Sequence, residues 1–283
     1  MEFNNTPEQL NAFVNASLNA DAKDWILSKI QLITENKSTK DLYITYTLLA
    51  TKVASEPVQF TSDSKLFFFL VSQEMNTLQL ARIFLLVKTL EADNDFFKVK
   101  VANLIQVADK TELETFLKFL VLLPNAGDYK TVAVDALRTN ITSVFNAIAL
   151  NNPYPAAYFN EQQWNQMYLK AVFIESDLSG ILNVDNRGND DLSRIISDYA
   201  HERWAASRKI NPLFWRPVAK HLNEKLLKDM QRLLDSDDVV ENKAGALCCY
   251  YSDKAEAKEL LNGYPKVLSK INEGILSWEN IIN

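Results

Sequence analysis

Residues 192–208, LSRIISDYAHERWAASR, indicate most clearly how this chain folds. At about 100° per residue, an α-helix would place Arg203 in the middle of one apolar face, together with Leu192, Ile195, Ile196, Tyr199 and Ala200. The period predicts a helix over residues 192–207, capped by Asp190 or Asp191. A guanidinium cannot shed its charge and needs carboxylate or carbonyl partners when it is dehydrated, so Arg203 is the most informative residue of this helix.

Helical periodicity continues in both directions from this stretch. Further helices are predicted over residues 95–107, 111–123, 130–150, 162–174, 215–234, 239–251 and 264–282. Strand-like alternation is nowhere sustained, and only 6 glycines and 8 prolines occur in 283 residues, which argues against sandwiches and barrels. Residues 238–247 place small side chains where two helices would approach closely. The predicted fold is all-α, an array of antiparallel helix pairs resembling a degenerate α-solenoid.

The most decisive break in the pattern is Asn151-Asn152-Pro153-Tyr154-Pro155. It suggests an N-terminal helical region over residues 1–152 and a C-terminal region over residues 153–283. One continuous domain is the alternative.

Composition excludes several classes of protein. The net charge is -6 without a basic block, which is not typical of a nucleic-acid binder. The most apolar run, residues 66–71, is far shorter than the roughly 20 residues of a membrane span, and residues 1–24 do not resemble a signal peptide. Cys248 and Cys249 are adjacent and are expected to be reduced core residues, which suggests the cytoplasm. We expect no cofactor and no metal.

His201 has acidic neighbours on both sides. Asp198, three residues earlier, would favour the charged imidazolium and raise its pKa. A general acid/base oriented by Asp198 and a metal ligand acting with Asp198 or Glu202 are two interpretations, but position 205 is alanine and lacks the second imidazole of a zinc motif. A surface histidine in a charged helix pair is the favoured interpretation, and a ligand or partner contact is the fourth.

Arg203 has two interpretations as well. It ties its helix to neighbours through Asp177 or Asp185, or it receives an anion inside a groove. The loop of residues 185–190 is better explained by turn chemistry than by calcium binding. The predicted groove uses six ligand contacts: His201, Arg203, Trp204, Arg208, Trp215 and Arg216. Five residues are predicted to support them: Asp177, Asp185, Arg187, Asp198 and Glu202.

Four segments, residues 167–174, 182–187, 198–208 and 211–218, resemble the EboA domain family. The distinctive motif is Asp-Tyr-Ala-His-Glu-Arg-Trp-Ala-Ala-x-Arg, and the resemblance covers about residues 165–261 and is much weaker over residues 1–150. It implies a protein of a bacterial gene cluster that moves a precursor or secondary metabolite out of the cytoplasm. The companion proteins resemble a prenyltransferase, a sugar-phosphate cyclase, an isomerase and hydrolases. The family supplies no agreed catalytic set.

The leading hypothesis is a non-catalytic protein that binds a small anionic metabolite or a partner enzyme of such a pathway. The chain would not span a membrane, although it could associate peripherally with a membrane enzyme. A lyase or isomerase using His201 and Asp198 is one alternative, and a ligand-free scaffold for other proteins is the other.

Overall fold

A computed structural model describes residues 3–60 and 63–282 and confirms the all-α class. Over these residues it contains eighteen α-helices and no β-strand, and its extended structure there is one isolated bridge between Pro57 and Asn76. The chain forms two compact units, Met1–Phe159 and Asn160–Asn283. The predicted division after residue 152 lies inside the first unit and stays a prediction, as does the solenoid-like repeat.

The first unit holds eleven α-helices: α1 Thr6–Ser17, α2 Ala20–Glu35, α3 Thr39–Lys52, α4 Lys65–Ser72, α5 Thr77–Ala92, α6 Asn94–Ala102, α7 Leu104–Val107, α8 Lys110–Lys118, α9 Lys130–Ala136, α10 Thr142–Ala149 and α11 Tyr154–Tyr158. Helix α5 contacts α1, α2, α3, α6 and α8, and most of its residues are buried. A helix that is apolar all round belongs in a core. The first unit is therefore organised around α5.

Helix α5 carries a buried cation. Arg82 is 2% exposed, and its Nη2 atom lies 3.5 Å from Oε1 of Glu112, which is also buried. The guanidinium carbon lies 5.3 Å from the ring centroid of Tyr46. The pair satisfies the requirement that a buried charge has a partner of opposite sign.

The second unit holds the other seven α-helices: α12 Glu161–Phe173, α13 Val184–Arg187, α14 Asp190–Ala205, α15 Glu224–Leu234, α16 Val239–Tyr251, α17 Ala255–Asn262 and α18 Pro265–Asn272. A Cβ atom added to Gly245 of α16 would lie 2.8 Å from Cβ of Leu233 in α15. The predicted close approach at the small residues of 238–247 is confirmed. Cys248 and Cys249 are buried and form no disulfide, as predicted.

Several predicted helices are wrong in their bounds. Residues 130–150 form two helices, because the chain turns between Ala136 and Thr142. Residues 215–234 are also divided: Pro217 lies within the 3₁₀ helix Pro212–His221, and α15 begins at Glu224. The last predicted helix, residues 264–282, ends at Asn272.

Candidate functional site

Helix α14 is capped by Asn189, whose side chain accepts a hydrogen bond from the Leu192 N–H, so the prediction of Asp190 or Asp191 as the cap is wrong. Leu192 and Ala200 are fully buried, but Arg203 is partly exposed. The placement of Arg203 in the middle of the buried face is therefore also wrong. Arg203 lies in the last turn of α14, where the helix leaves the packed surface.

The chain reverses directly after α14 and gives Arg203 its partner. Ser207 adopts a left-handed conformation with φ 52°, and the Arg208 N–H donates to the Arg203 carbonyl at 2.9 Å. The Arg203 Nε and Nη2 atoms donate to the carbonyl oxygen of Lys209 at 3.2 and 2.7 Å. The predicted partners were Asp177 or Asp185, but the guanidinium is held by a backbone carbonyl six residues away.

A groove of about 700 Å³ lies beside this reversal, at the C-terminal ends of α12 and α14. Its charged lining residues are Glu175, Glu202, Arg203, Arg208 and Lys209. Its apolar lining residues include Val172, Phe173, Leu178, Ile210, Val240 and Ile282. The volume is in the range of small-molecule sites.

The three cations of the groove differ in their partners. Arg208 is exposed, and within residues 3–60 and 63–282 its guanidinium has no hydrogen bond or ion pair. Arg203 donates two of its N–H groups to the Lys209 carbonyl, and its remaining N–H groups are available to a ligand. The Lys209 ammonium lies 3.9 Å from the Asp238 carboxylate. Arg208 is therefore the cation best placed to accept an anionic ligand.

His201 does not line the groove, and its partner is not the predicted one. Its Nε2 atom lies 2.6 Å from Oδ1 of Asp229, a carboxylate that is 3% exposed and also accepts the Ser197 hydroxyl at 2.6 Å. Asp198 instead accepts a hydrogen bond from Lys225 Nζ at 2.7 Å, which lowers the pKa of Asp198. The orientation of His201 by Asp198 is therefore wrong: α15 supplies a partner to each residue, Asp229 to His201 and Lys225 to Asp198.

The two tryptophans predicted as ligand contacts, Trp204 and Trp215, stack on each other with ring centroids 5.6 Å apart. Neither lines the groove. Trp215 is 1% exposed, so the prediction that it forms a groove wall is wrong because the ring belongs to the core. Trp204 is covered by Arg232, whose guanidinium carbon lies 4.1 Å from the Trp204 ring centroid.

Arg216 lies apart from Arg203 and Arg208. Its Nε and Nη2 atoms donate to both carboxylate oxygens of Asp185 at 2.8 and 2.6 Å, and Nη2 also reaches Glu279 at 3.1 Å. These residues line a different cavity, of about 270 Å³. The prediction that Arg216 shares an anion site with Arg203 and Arg208 is wrong.

Two supporting residues have local structural roles. Asp177 caps the 3₁₀ helix Leu178–Gly180 by accepting the Ser179 N–H. The guanidinium carbon of Arg187 lies 5.0 Å from the Trp164 ring centroid. Of the eleven predicted site residues, the groove is lined by three: Glu202, Arg203 and Arg208.

Sequence reasoning missed the apolar side of the groove and the partner of His201. Phe173 is 79% exposed at the end of α12, and a large apolar residue at the end of a helical period could have been noticed. Asp229 had no local signal, because it reaches His201 from another helix. Over the described residues, no group of three or more His, Cys, Asp or Glu side chains is arranged to hold a metal ion.

These features define an all-α protein with a ligand-sized groove whose lining is both charged and apolar. The family model for the metabolite traffic protein EboA matches residues 6–219, and the chain belongs to this family. No curated protein and no solved structure matches the chain significantly. The match includes the first unit, where the resemblance was weaker, and stops before Asp229 and Glu279, the partners of His201 and Arg216.

Over the described residues, the helices are too short or too polar to cross a bilayer.

Proposed function

We propose that this protein acts in metabolite traffic by binding a small anionic metabolite, without catalysis, in the groove beside α14. The family description indicates the traffic role. The observation that carries the binding role is the Arg208 guanidinium, which lines the groove without a partner among the described residues. A planar guanidinium without a partner can donate two parallel hydrogen bonds to a carboxylate or a phosphate.

The remaining donors of Arg203 support the same role. Because two of its N–H groups are fixed on the Lys209 carbonyl, its side chain loses little freedom when a ligand binds. We place this activity in the cytoplasm of a bacterium, in a secondary-metabolite pathway whose enzymes would deliver or receive the ligand. Peripheral association with a membrane enzyme belongs to the same proposal.

The test is a comparison of two arginine variants. A panel of small organic carboxylates and phosphate esters is screened by thermal shift, since a ligand of the native state raises the melting temperature. For the best compound, Arg208→Gln is expected to weaken binding by about tenfold or more, because a charge-assisted hydrogen bond is lost. The matched control is Arg194→Gln, which changes an exposed arginine of α14 that lies outside the groove. Equal binding by wild type and both variants would refute the proposal.

A second candidate function is an isomerase or lyase, and one observation favours it. A buried carboxylate that holds an imidazole with a half-exposed ring is the arrangement of a general base. In this alternative Asp229 replaces Asp198 as the orienting group. If the wild-type protein converts a bound compound, and His201→Gln abolishes the conversion without changing binding, the result would favour the enzymatic function.

A further inference from the structure

We infer that the ligand of the groove is an amphiphile with one negative charge on its head and an apolar tail. This inference rests on the proposed function and adds the chemical class of the ligand. It starts from the two most exposed large apolar side chains of the lining, Phe173 at 79% and Ile282 at 63%. Large apolar surfaces next to a polar site commonly mark a binding surface.

The apolar side of the groove is assembled from separate parts of the chain. Phe173 ends α12, Ile210 follows α14, Val240 lies in the first turn of α16, and Ile282 comes from the segment after α18. Because each segment contributes an apolar residue to the same concave surface, the tail of a ligand would contact all four. Burial of that tail would also remove the Phe173 ring from water.

The charges of the groove set the charge of the head. Arg203 and Arg208 offer two guanidinium groups, while Glu175 and Glu202 bring two carboxylates to the same lining. Lys209 adds little, because its exposed ammonium lies near Asp238. A head with one negative charge pairs with Arg208, whereas a pyrophosphate would be repelled by both carboxylates. The head is therefore a carboxylate or another monoanion.

Four simple probes separate head from tail in calorimetric titrations of the full chain: octanoate, butanoate, octan-1-ol and inorganic pyrophosphate. Octanoate is expected to bind at least about tenfold more tightly than butanoate, since each fully buried methylene adds about fourfold in affinity. Octanol lacks the charge and pyrophosphate lacks the tail, so both are expected to bind more weakly than octanoate. Phe173→Ser should reduce the ratio of the affinity for octanoate to the affinity for butanoate. Arg208→Gln should weaken the binding of both acids and leave this ratio unchanged.

The control for Phe173→Ser is Phe68→Ser, which removes a phenyl ring that is 63% exposed and lies in the other unit. Both positions are on the surface, so neither variant should unfold the chain. If octanoate and butanoate bind with equal affinity and both depend on Arg208, the inference of an amphiphilic ligand is overturned, while the proposed anion site stands. If neither acid binds while other anions from the panel do so through Arg208, the amphiphile is again overturned. If no anion depends on Arg208, both proposals fail.

Discussion

The imidazole of His201 and the carboxylate of Asp229 join α14 to α15 through a contact of 2.6 Å between Nε2 and Oδ1. The Ser197 hydroxyl donates to the other carboxylate oxygen, so Asp229 has partners on both oxygens although it is almost completely buried. A buried charge without such partners would be costly. This cluster therefore fixes the two helices against each other.

Removal of Asp229 tests the importance of this link. Asp229→Ala leaves the Ser197 hydroxyl and the His201 ring without their acceptor, so we expect a loss of about 2–3 kcal/mol in the free energy of unfolding. Urea denaturation measures it. The control is Asp198→Ala, which removes an exposed pair with Lys225 and should cost much less stability than Asp229→Ala. Equal losses in the two variants would contradict the assigned roles.

Local pattern predicted the existence of α14 but not the partner of its histidine. Asp198 has the right spacing for a contact with His201 along a helix, yet the structure pairs it with Lys225. Asp229 lies 28 residues further on, and no pattern in either helix indicates the contact. Periodicity tells which side of a helix is apolar, whereas a cross-helix pair depends on how two helices are oriented.

The buried cation was predicted on the wrong helix for a related reason. Arg203 shares the apolar face of an ideal helix, but α14 ends two residues later and lets its side chain reach the groove. The deeply buried arginine is Arg82, in a run that is apolar on every side. That continuous apolar run was the available signal, because a helix apolar all round has no solvent side for an arginine. The fold class was predictable from periodicity and low glycine content, and the groove needed the tertiary structure.

Gly245 tests the close contact between α15 and α16. An alanine methyl group at this position would lie 2.8 Å from Cβ of Leu233 and 3.2 Å from the Met230 carbonyl oxygen. Alanine favours a helix by about 1 kcal/mol over glycine, but overpacking costs about 1–3 kcal/mol. We expect a net loss of stability for Gly245→Ala by urea denaturation. A more stable variant would show that the two helices separate easily.

The cysteine pair allows a chemical test of the core. Burial raises the pKa of Cys249 to about 12 and raises that of Cys248 well above its usual value. Because the thiolate is the reactive form, native protein at pH near 8 should react with a disulfide reagent at least about a hundredfold more slowly than a free thiol. In denaturant both cysteines should react at the rate of an exposed thiol. Fast reaction of the native protein would contradict their burial.

The N-terminal cap of α8 links acid stability to the buried arginine. The Asp109 carboxylate accepts a hydrogen bond from the Glu112 N–H, and the Glu112 carboxylate accepts one from the Asp109 N–H and also faces Arg82. The hydrogen bond from the Glu112 N–H is the main cause that lowers the pKa of Asp109 below its usual value. A carboxylate whose folded pKa is lowered stabilises the protein fully above its unfolded pKa, and this contribution is lost as the pH falls through the folded pKa.

We therefore expect Asp109→Ala to cost about 1 kcal/mol near neutral pH, as for other cap residues, and less in acid. Asp109→Asn keeps the acceptor but does not titrate, so its stability relative to wild type isolates the charge. Urea denaturation between about pH 2.5 and 6 should show that the advantage of wild type over Asp109→Asn disappears toward the acid end. An advantage that stays constant across this range would mean that the cap acts through its hydrogen bond alone and that its charge does not contribute to folding.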